Sequence, residues 1–331
     1  MLGIKVSRES RLLEVEADRF RESNGSHEQS FKYSLFLAHF LAIEHFRFTM
    51  PTENKKLQIV SLGSSFAAGP GVPPQIEPRA AMRSGQNYPH LLAQQLNAEL
   101  TDLTVSGATL LNITVDPQTV PFYKETFPAQ ISNLPEDADI VTITAGGNDI
   151  NYIGGMISDA WDATLPGAVF NTVTQGVRAL KSAISAQAPA QTSDRLSPSE
   201  LAERLGGVLD EIHKRAPRAR VFVVEYLAVL GPDTRPGQDI PFNQEKLDHH
   251  RGVASALQHA YTVAVQSRGN WCERIPVHEL SLEHALGSKE PWVGGFDLAS
   301  VVRRGPVLHP NLDGMKAVAS LLLARVQNDQ T

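Results

Sequence analysis

Four short blocks set small or polar residues at or just beyond strand-like apolar runs, or ahead of a helix. They are Gly63-Ser64-Ser65-Phe66, Gly107, Gly146-Gly147-Asn148-Asp149 and His309-Pro310-Asn311. A serine hydroxyl, a glycine amide, an asparagine amide and an imidazole are together the parts of an acyl-transfer site: a nucleophile, a base to take its proton, and donors for an oxyanion. Each has a plainer reading alone. Gly63 can simply end a strand, Asn148 or Asp149 can cap a helix, and His309 can stand at a helix start without chemistry. Their ordered recurrence after successive strands favours the site, because open α/β sheets bind ligands beyond the carboxyl ends of their strands.

The elements that must position these blocks are legible as periodicity. Residues 57–62 (LQIVSL), 103–107 (LTVSG), 139–147 (DIVTITAGG), 220–231 and 274–280 read as strands, the first as a short buried parallel one. Residues 87–100, 200–216 and 243–268, and a stretch starting near Leu312, read as helices. Asn87 suits the cap of the first and Pro89 its first turn, and Leu312, Met315, Ala319, Leu322 and Val326 form an apolar stripe on the last. Strand–helix alternation implies a parallel sheet covered on both faces. Residues 151–198 interrupt the alternation and read as an insertion capping one end of the sheet. Its apolar side chains, Tyr152, Ile153, Met156, Ile157, Trp161, Leu165, Val169 and Phe170, are candidates to line an acyl pocket, with Tyr152, Met156 and Trp161 foremost.

With these blocks in view, the chain resembles the SGNH hydrolases, the GDSL-type esterase/lipase family, over about residues 57–327. The four residue types that name that family occur in order as Ser65, Gly107, Asn148 and His309, separated by 42, 41 and 161 residues. The GGND block and His309-Pro310-Asn311 followed by Gly314 are the most specific pieces. The resemblance implies a flavodoxin-like three-layer α/β/α sandwich with a central parallel sheet. It also implies that Ser65, rather than the adjacent Ser64, attacks an ester carbonyl. His309 would relay the proton, and the amides of Ser65 and Gly107 with the Asn148 side chain would hold the oxyanion. No metal or other cofactor is expected. The implied reaction is carboxylic-ester hydrolysis through an acyl-enzyme; a carbohydrate O-deacetylase of the same family, or a catalytically weak binding protein keeping the fold, are the alternatives.

Two departures from the family pattern carry consequences. Ser64 stands where an aspartate usually supports the loop, which implies altered local hydrogen bonding. The acid that usually lies three residues before the histidine is replaced by Pro306. A backbone carbonyl can also orient an imidazole N–H, so the favoured arrangement is a Ser–His dyad with the Pro306 carbonyl as orienter. The competing one is Asp297 folding back as a displaced acid.

Composition bounds the partners. The chain has 331 residues and a net charge of -6, which argues against a nucleic-acid surface. No run of 18 apolar residues suggests a transmembrane segment. The single cysteine, Cys272, rules out an intramolecular disulfide and reads as a buried small hydrophobe. Asp248-His249-His250 lies within a helical stretch and reads as a solvated face. Gly69-Pro70-Gly71-Val72-Pro73 lacks the pattern of a phosphate loop and suits the rim behind the nucleophile. The expected partner is a small-molecule or lipid ester, acted on by a monomer.

Residues 1–49 hold seven of the 22 aromatics, with seven basic and seven acidic side chains in balance. They read as an extension to a single hydrolase domain over 50–331, either an amphipathic helix packed on it or a segment preceding a true start at Met50. Neither Met1 nor Met50 begins a signal-peptide pattern, so a cytoplasmic location is expected. Mass spectrometry of the native protein should find Met50 or Pro51 at its N-terminus; a peptide from residues 10–45 would refute that start.

Overall fold

The computed structural model describes residues 55–164, 196–296 and 305–328. The readings of residues 1–49 lie outside them. β1 (Gln58–Gly63) is followed by the short helix α1 (Ser65–Ala68), a ribbon of β2 (Gln75–Ile76) and β3 (Arg83–Ser84), and α2 (Tyr88–Gln95). Next come β4 (Glu99–Asp102), α3 (Leu110–Thr114), a hairpin of β5 (Gln118–Val120) and β6 (Glu125–Phe127), β7 (Ile140–Thr144) and α4 (Tyr152–Asp162). The remainder is α5 (Pro198–Arg215), β8 (Arg220–Val224), α6 (Gln244–Gln266), β9 (Cys272–Ile275), α7 (Val277–Leu280) and α8 (Leu312–Asn328).

Five strands form one parallel sheet in the order β4-β1-β7-β8-β9. By position in the chain this is the 2-1-3-4-5 order of a flavodoxin-like fold, whose switch point lies between its first and third strands. Here those are β1 and β7, paired from Ile59↔Ile140 to Gly63↔Thr144. Their residues are buried on both faces, as the continuous apolar runs require. Right-handed crossovers send the chain one way to β4 and the other way to β8 and β9, so helices cover both faces. α2 packs with α8, and α5 packs with α6. The α/β/α sandwich expected from the sequence is therefore the observed one. Among the described residues, no helix is long and apolar enough to cross a membrane.

Several element bounds differ from the sequence reading, each for a local reason. The first long helix stops at Gln95 instead of Leu100. Asn97 takes a left-handed φ of 50°, and Ala98 N–H donates to Ala93 O at 2.9 Å, a Schellman-type end. The second strand is Glu99–Asp102, not 103–107. Asp102 accepts from Thr104 N–H (3.0 Å) and Thr104 Oγ1 (2.6 Å), turning the chain so that 103–107 becomes the loop that carries Gly107. β8 ends at Val224, and the apolar run 225–230 is a buried loop, since hydrophobicity reports burial and not strand geometry. β9 spans Cys272–Ile275, with 277–280 helical. Cys272 is buried, and burial pushes its thiol pKa up to about 12.

The end of β1 is the tightest point of the sheet. Gly63 has φ 141°, and a Cβ there would overlap the Thr144 carbonyl oxygen. Buried Gln130 clamps the same residue from the other side, accepting from Gly63 N–H at 2.8 Å and donating to Gly63 O at 2.9 Å. Gly63→Ala is expected to cost about 1–3 kcal/mol, the range for a side chain forced into a sparsely populated backbone region. It should appear as a lower urea midpoint at unchanged slope; a wild-type midpoint would contradict it.

Candidate active site

Ser65 is the first residue of α1, directly beyond the clamped Gly63. Ser64 N–H donates to Thr144 O (2.9 Å), and the turn sends the two serines in different directions. Ser64 is buried, with its Oγ 2.8 Å from the Tyr226 hydroxyl. This is the altered hydrogen bonding that replacement of the usual aspartate implies. Burial raises the Tyr226 pKa, so the partner is a neutral phenol. Ser65 Oγ instead donates to His309 Nε2 at 2.8 Å.

His309 is delivered by a folded-back arm. Leu308 N–H donates to Gly294 O (2.9 Å), Gly294 N–H donates to His309 O (2.9 Å), and Asn311 N–H donates to Trp292 O (2.9 Å). Cβ atoms at Gly294 and Gly314 would overlap the carbonyl oxygens of Pro306 and Trp292 respectively, so both glycines are close-approach points. Leu308 is buried with φ 53°. Its left-handed turn brings the Val307 carbonyl against the ring, and His309 Nδ1 donates to Val307 O at 2.7 Å. A carbonyl only accepts, so Nδ1 carries the proton and Nε2 faces Ser65 Oγ as acceptor.

This corrects the sequence reading at one residue. The carbonyl of Pro306 does not meet the ring; it accepts the main-chain N–H of His309 at 3.1 Å. Asp297 lies outside the described residues. Burial lowers the His309 pKa from its ordinary value, opposed by the Val307 hydrogen bond.

Gly107 and Asn148 reach the same cleft from the ends of β4 and β7. Gly107 has φ 85°, which favours glycine. Asn148 Nδ2 donates one hydrogen to Ala108 O at 2.8 Å, which fixes the amide and leaves its second hydrogen available. Ser65 N–H is a first-turn helix amide without an intrahelical acceptor. Asp149 braces the 107–110 loop by accepting from Leu110 N–H at 3.0 Å. Burial raises the Asp149 pKa against that bond and Arg204, 3.8 Å away. Ser65, Gly107, Asn148 and His309 all line one cleft of about 750 Å³.

The pocket residues expected from the insertion are largely displaced. Tyr152 and Met156 point into the core, and Trp161 is half-buried away from the cleft. The same helix presents Ile153, Gly154 and Ile157 to the cleft, so the contacting face is one residue out of step with the expected one. Leu165, Val169 and Phe170 lie outside the described residues. The opposite wall is Met82, Val120, Phe122 and Tyr123, which the sequence reading did not single out; the Pro121-Phe122-Tyr123 run between two short strands was the available signal. Pro70 and Gly71 form rim, as their loop suggested.

The Asp248-His249-His250 stretch is not wholly a solvated face. His250 is buried, with Nε2 2.8 Å from Asp159 Oδ2, which also pairs with Lys246 at 2.9 Å. Among the described residues, no group of three or more His, Cys, Asp or Glu side chains is placed to hold a metal ion.

Residues 61–317 match the family described as "GDSL-like Lipase/Acylhydrolase family". "Lipase 2" of Streptomyces coelicolor is 28% identical over 283 residues, covering 80% of this chain and 83% of that protein. Among solved structures, phospholipase A1 from Streptomyces albidoflavus superposes with a TM-score of 0.58 at 18% identity. The extracellular lipase from Streptomyces rimosus gives 0.56 at 19%. Each of these two comparisons covers 82% of this chain and 99% of the other, and they speak to the fold.

An NMR titration should place the His309 imidazole below 6.5, because burial disfavours the cation and no described carboxylate offsets it. The folded-state pKa then lies below the unfolded one, so this group's contribution to stability is lost as pH falls through that window. A value above 6.5 would reveal a nearby anion.

Proposed function

We propose, from the premise that the chain belongs to the GDSL-like Lipase/Acylhydrolase family and is a hydrolase acting on esters, that it cleaves carboxylic esters through a Ser65–His309 pair and a seryl acyl-enzyme. The observation that carries this reading is the continuous chain from Ser65 Oγ to His309 Nε2 (2.8 Å) and from His309 Nδ1 to Val307 O (2.7 Å).

His309 Nε2 takes the Ser65 proton as Oγ bonds to the ester carbonyl carbon. The carbonyl π electrons move to oxygen, and the oxyanion is held by the amides of Ser65 and Gly107 and the free Asn148 Nδ2 hydrogen. One such donor is typically worth about 2.7–4 kcal/mol of barrier. Collapse expels the alkoxide, which leaves with the proton from Nε2. Water then attacks the acyl-serine, giving its proton to the same nitrogen, and the second collapse releases the acid and restores Ser65. The Val307 carbonyl does the work of an acid in fixing the tautomer, and it partly stabilises the imidazolium that forms in each step. The lowered His309 pKa keeps the base neutral at pH 7.

The cleft walls are mostly apolar (Met82, Val120, Ile153, Ile157 and Val307), which suits an acyl chain better than a sugar. The names of the lipase and phospholipase relatives support the same preference. Fluorophosphonate should label Ser65 in folded protein, and Ser65→Ala should abolish labelling and lower nitrophenyl-ester turnover by several orders of magnitude. Asp297→Asn should leave turnover within a few-fold. A fall by orders of magnitude there would replace the Val307 carbonyl with a carboxylate, and absence of labelling would defeat the hydrolytic centre. Preference for acetylated sugars over medium-chain nitrophenyl esters would transfer the reading to a deacetylase.

A further inference from the structure

Five large apolar side chains are left open to solvent around the Ser65 cleft and the segment that follows Gly107: Met82, Leu111, Val115, Phe122 and Tyr123. Only two others of the kind, Val263 and Leu280, are exposed among the described residues. Met82, Phe122 and Tyr123 line the cleft itself. Leu111 and Val115 stand four residues apart, at α3 and its C-cap, between Gly107 and the β5–β6 hairpin, with Val115 N–H donating to Leu111 O at 2.8 Å. We infer that these side chains form a docking face that seats the enzyme on the surface of aggregated, zwitterionic phospholipid and feeds ester from that surface into the cleft. The inference rests on the ester-hydrolase reading of the same cleft.

The hairpin is built to hold its tip outward. β5 and β6 pair with each other and not with the central sheet. The tip is Pro121-Phe122-Tyr123-Lys124, closed by Tyr123 N–H to Val120 O (3.1 Å) and Lys124 N–H to Pro121 O (3.2 Å). Turns at such positions usually carry Gly, Asn, Asp or Ser beyond the proline. Here Phe122 is 77% exposed and Val115 67%, and the Phe122 and Tyr123 rings meet edge-on at 5.1 Å. A run of exposed apolar groups continuous with a pocket mouth marks an interaction surface.

Charge selects the partner. The ionisable groups beside the patch balance: Asp116 and Glu125 against Lys124, with Arg79 paired to Glu77 at 2.9 Å. A face with no net charge does not complement a strongly anionic or cationic surface. Phe122 and Val115 suit the acyl boundary, while the Tyr123 hydroxyl and the Lys124 ammonium suit the headgroup level. Because the cleft shares walls with the patch, an ester chain drawn from a lipid surface seated there reaches Ser65 without crossing bulk water.

The test uses the full chain, phosphatidylcholine vesicles for binding, and one short-chain nitrophenyl ester held below its critical micelle concentration beside one medium-chain ester above it. Leu111→Glu with Val115→Glu, neither residue lining the cleft, should lower vesicle partitioning about tenfold or more and abolish the gain in turnover on the aggregated ester. Monomeric-ester turnover should stay within about twofold of wild type, since the hydrolytic groups are untouched. Val115→Asn alone should give a smaller loss in the same direction if the double variant fails to fold. Wild-type chain that ignores vesicles, or variants that bind them equally well, would overturn the inference. So would a shift from dimer to monomer in the variants on sedimentation, which would assign the face to a second copy. Failure of the wild type on the monomeric ester would instead strike the hydrolase reading, whatever the vesicles show.

Discussion

The Thr144 carbonyl oxygen occupies the space where a side chain at position 63 would begin, and Gln130 holds the same peptide from its far side. Two central strands can approach so closely only because residue 63 is a glycine in a backbone region closed to other residues. Everything catalytic follows from that contact. It turns the chain sharply out of β1, sends Ser64 down onto Tyr226 and leaves Ser65 at the head of a short helix facing the cleft. The same switch point receives Asn148 from β7, and β4 sends Gly107 in from the edge, so three donors and a hydroxyl converge without any of them being near in sequence.

The histidine reaches this point on a different principle. Its arm carries two bridges, Val293↔Pro310 and Gly294↔Val307, and a left-handed Leu308. Backbone hydrogen bonding and close glycine contacts do the positioning, and the ring N–H meets a carbonyl instead of a carboxylate. A carbonyl dipole stabilises an imidazolium less than a full negative charge does. Burial therefore sets the direction of the His309 shift, and the resting imidazole is a neutral base.

Much of this was legible in the chain. Ser65, Gly107, Asn148 and His309 could be named because each role demands a residue type, and the parallel sheet because β1, β7 and β8 read as continuous apolar runs. The misplaced pieces share a physical cause. The carbonyl facing His309 belongs to Val307, and every residue has a carbonyl, so side-chain identity could not separate 306 from 307; the left-handed Leu308 decided it. Tyr152 and Met156 looked like pocket residues because the helix carrying them is apolar on more than one face, and only packing shows which face meets the core. The run 225–230 looked like strand because burial and β-structure share a composition. Gln130 left no signal, being one glutamine whose role exists only across 67 residues of separation.

A backbone orienter has no side chain to lose. No single substitution deletes the carbonyl of residue 307, whereas an aspartate in that role disappears with one base change. Mutational fragility is thereby moved off the group that touches the imidazole and onto residues that never do. Gly294 is held by the Pro306 carbonyl, Gly314 by the Trp292 carbonyl, and Leu308 by its handedness. Inherited damage to this centre would concentrate at small, inconspicuous positions one layer behind the chemistry, and a survey of variants scored by distance from Ser65 would rank them too low.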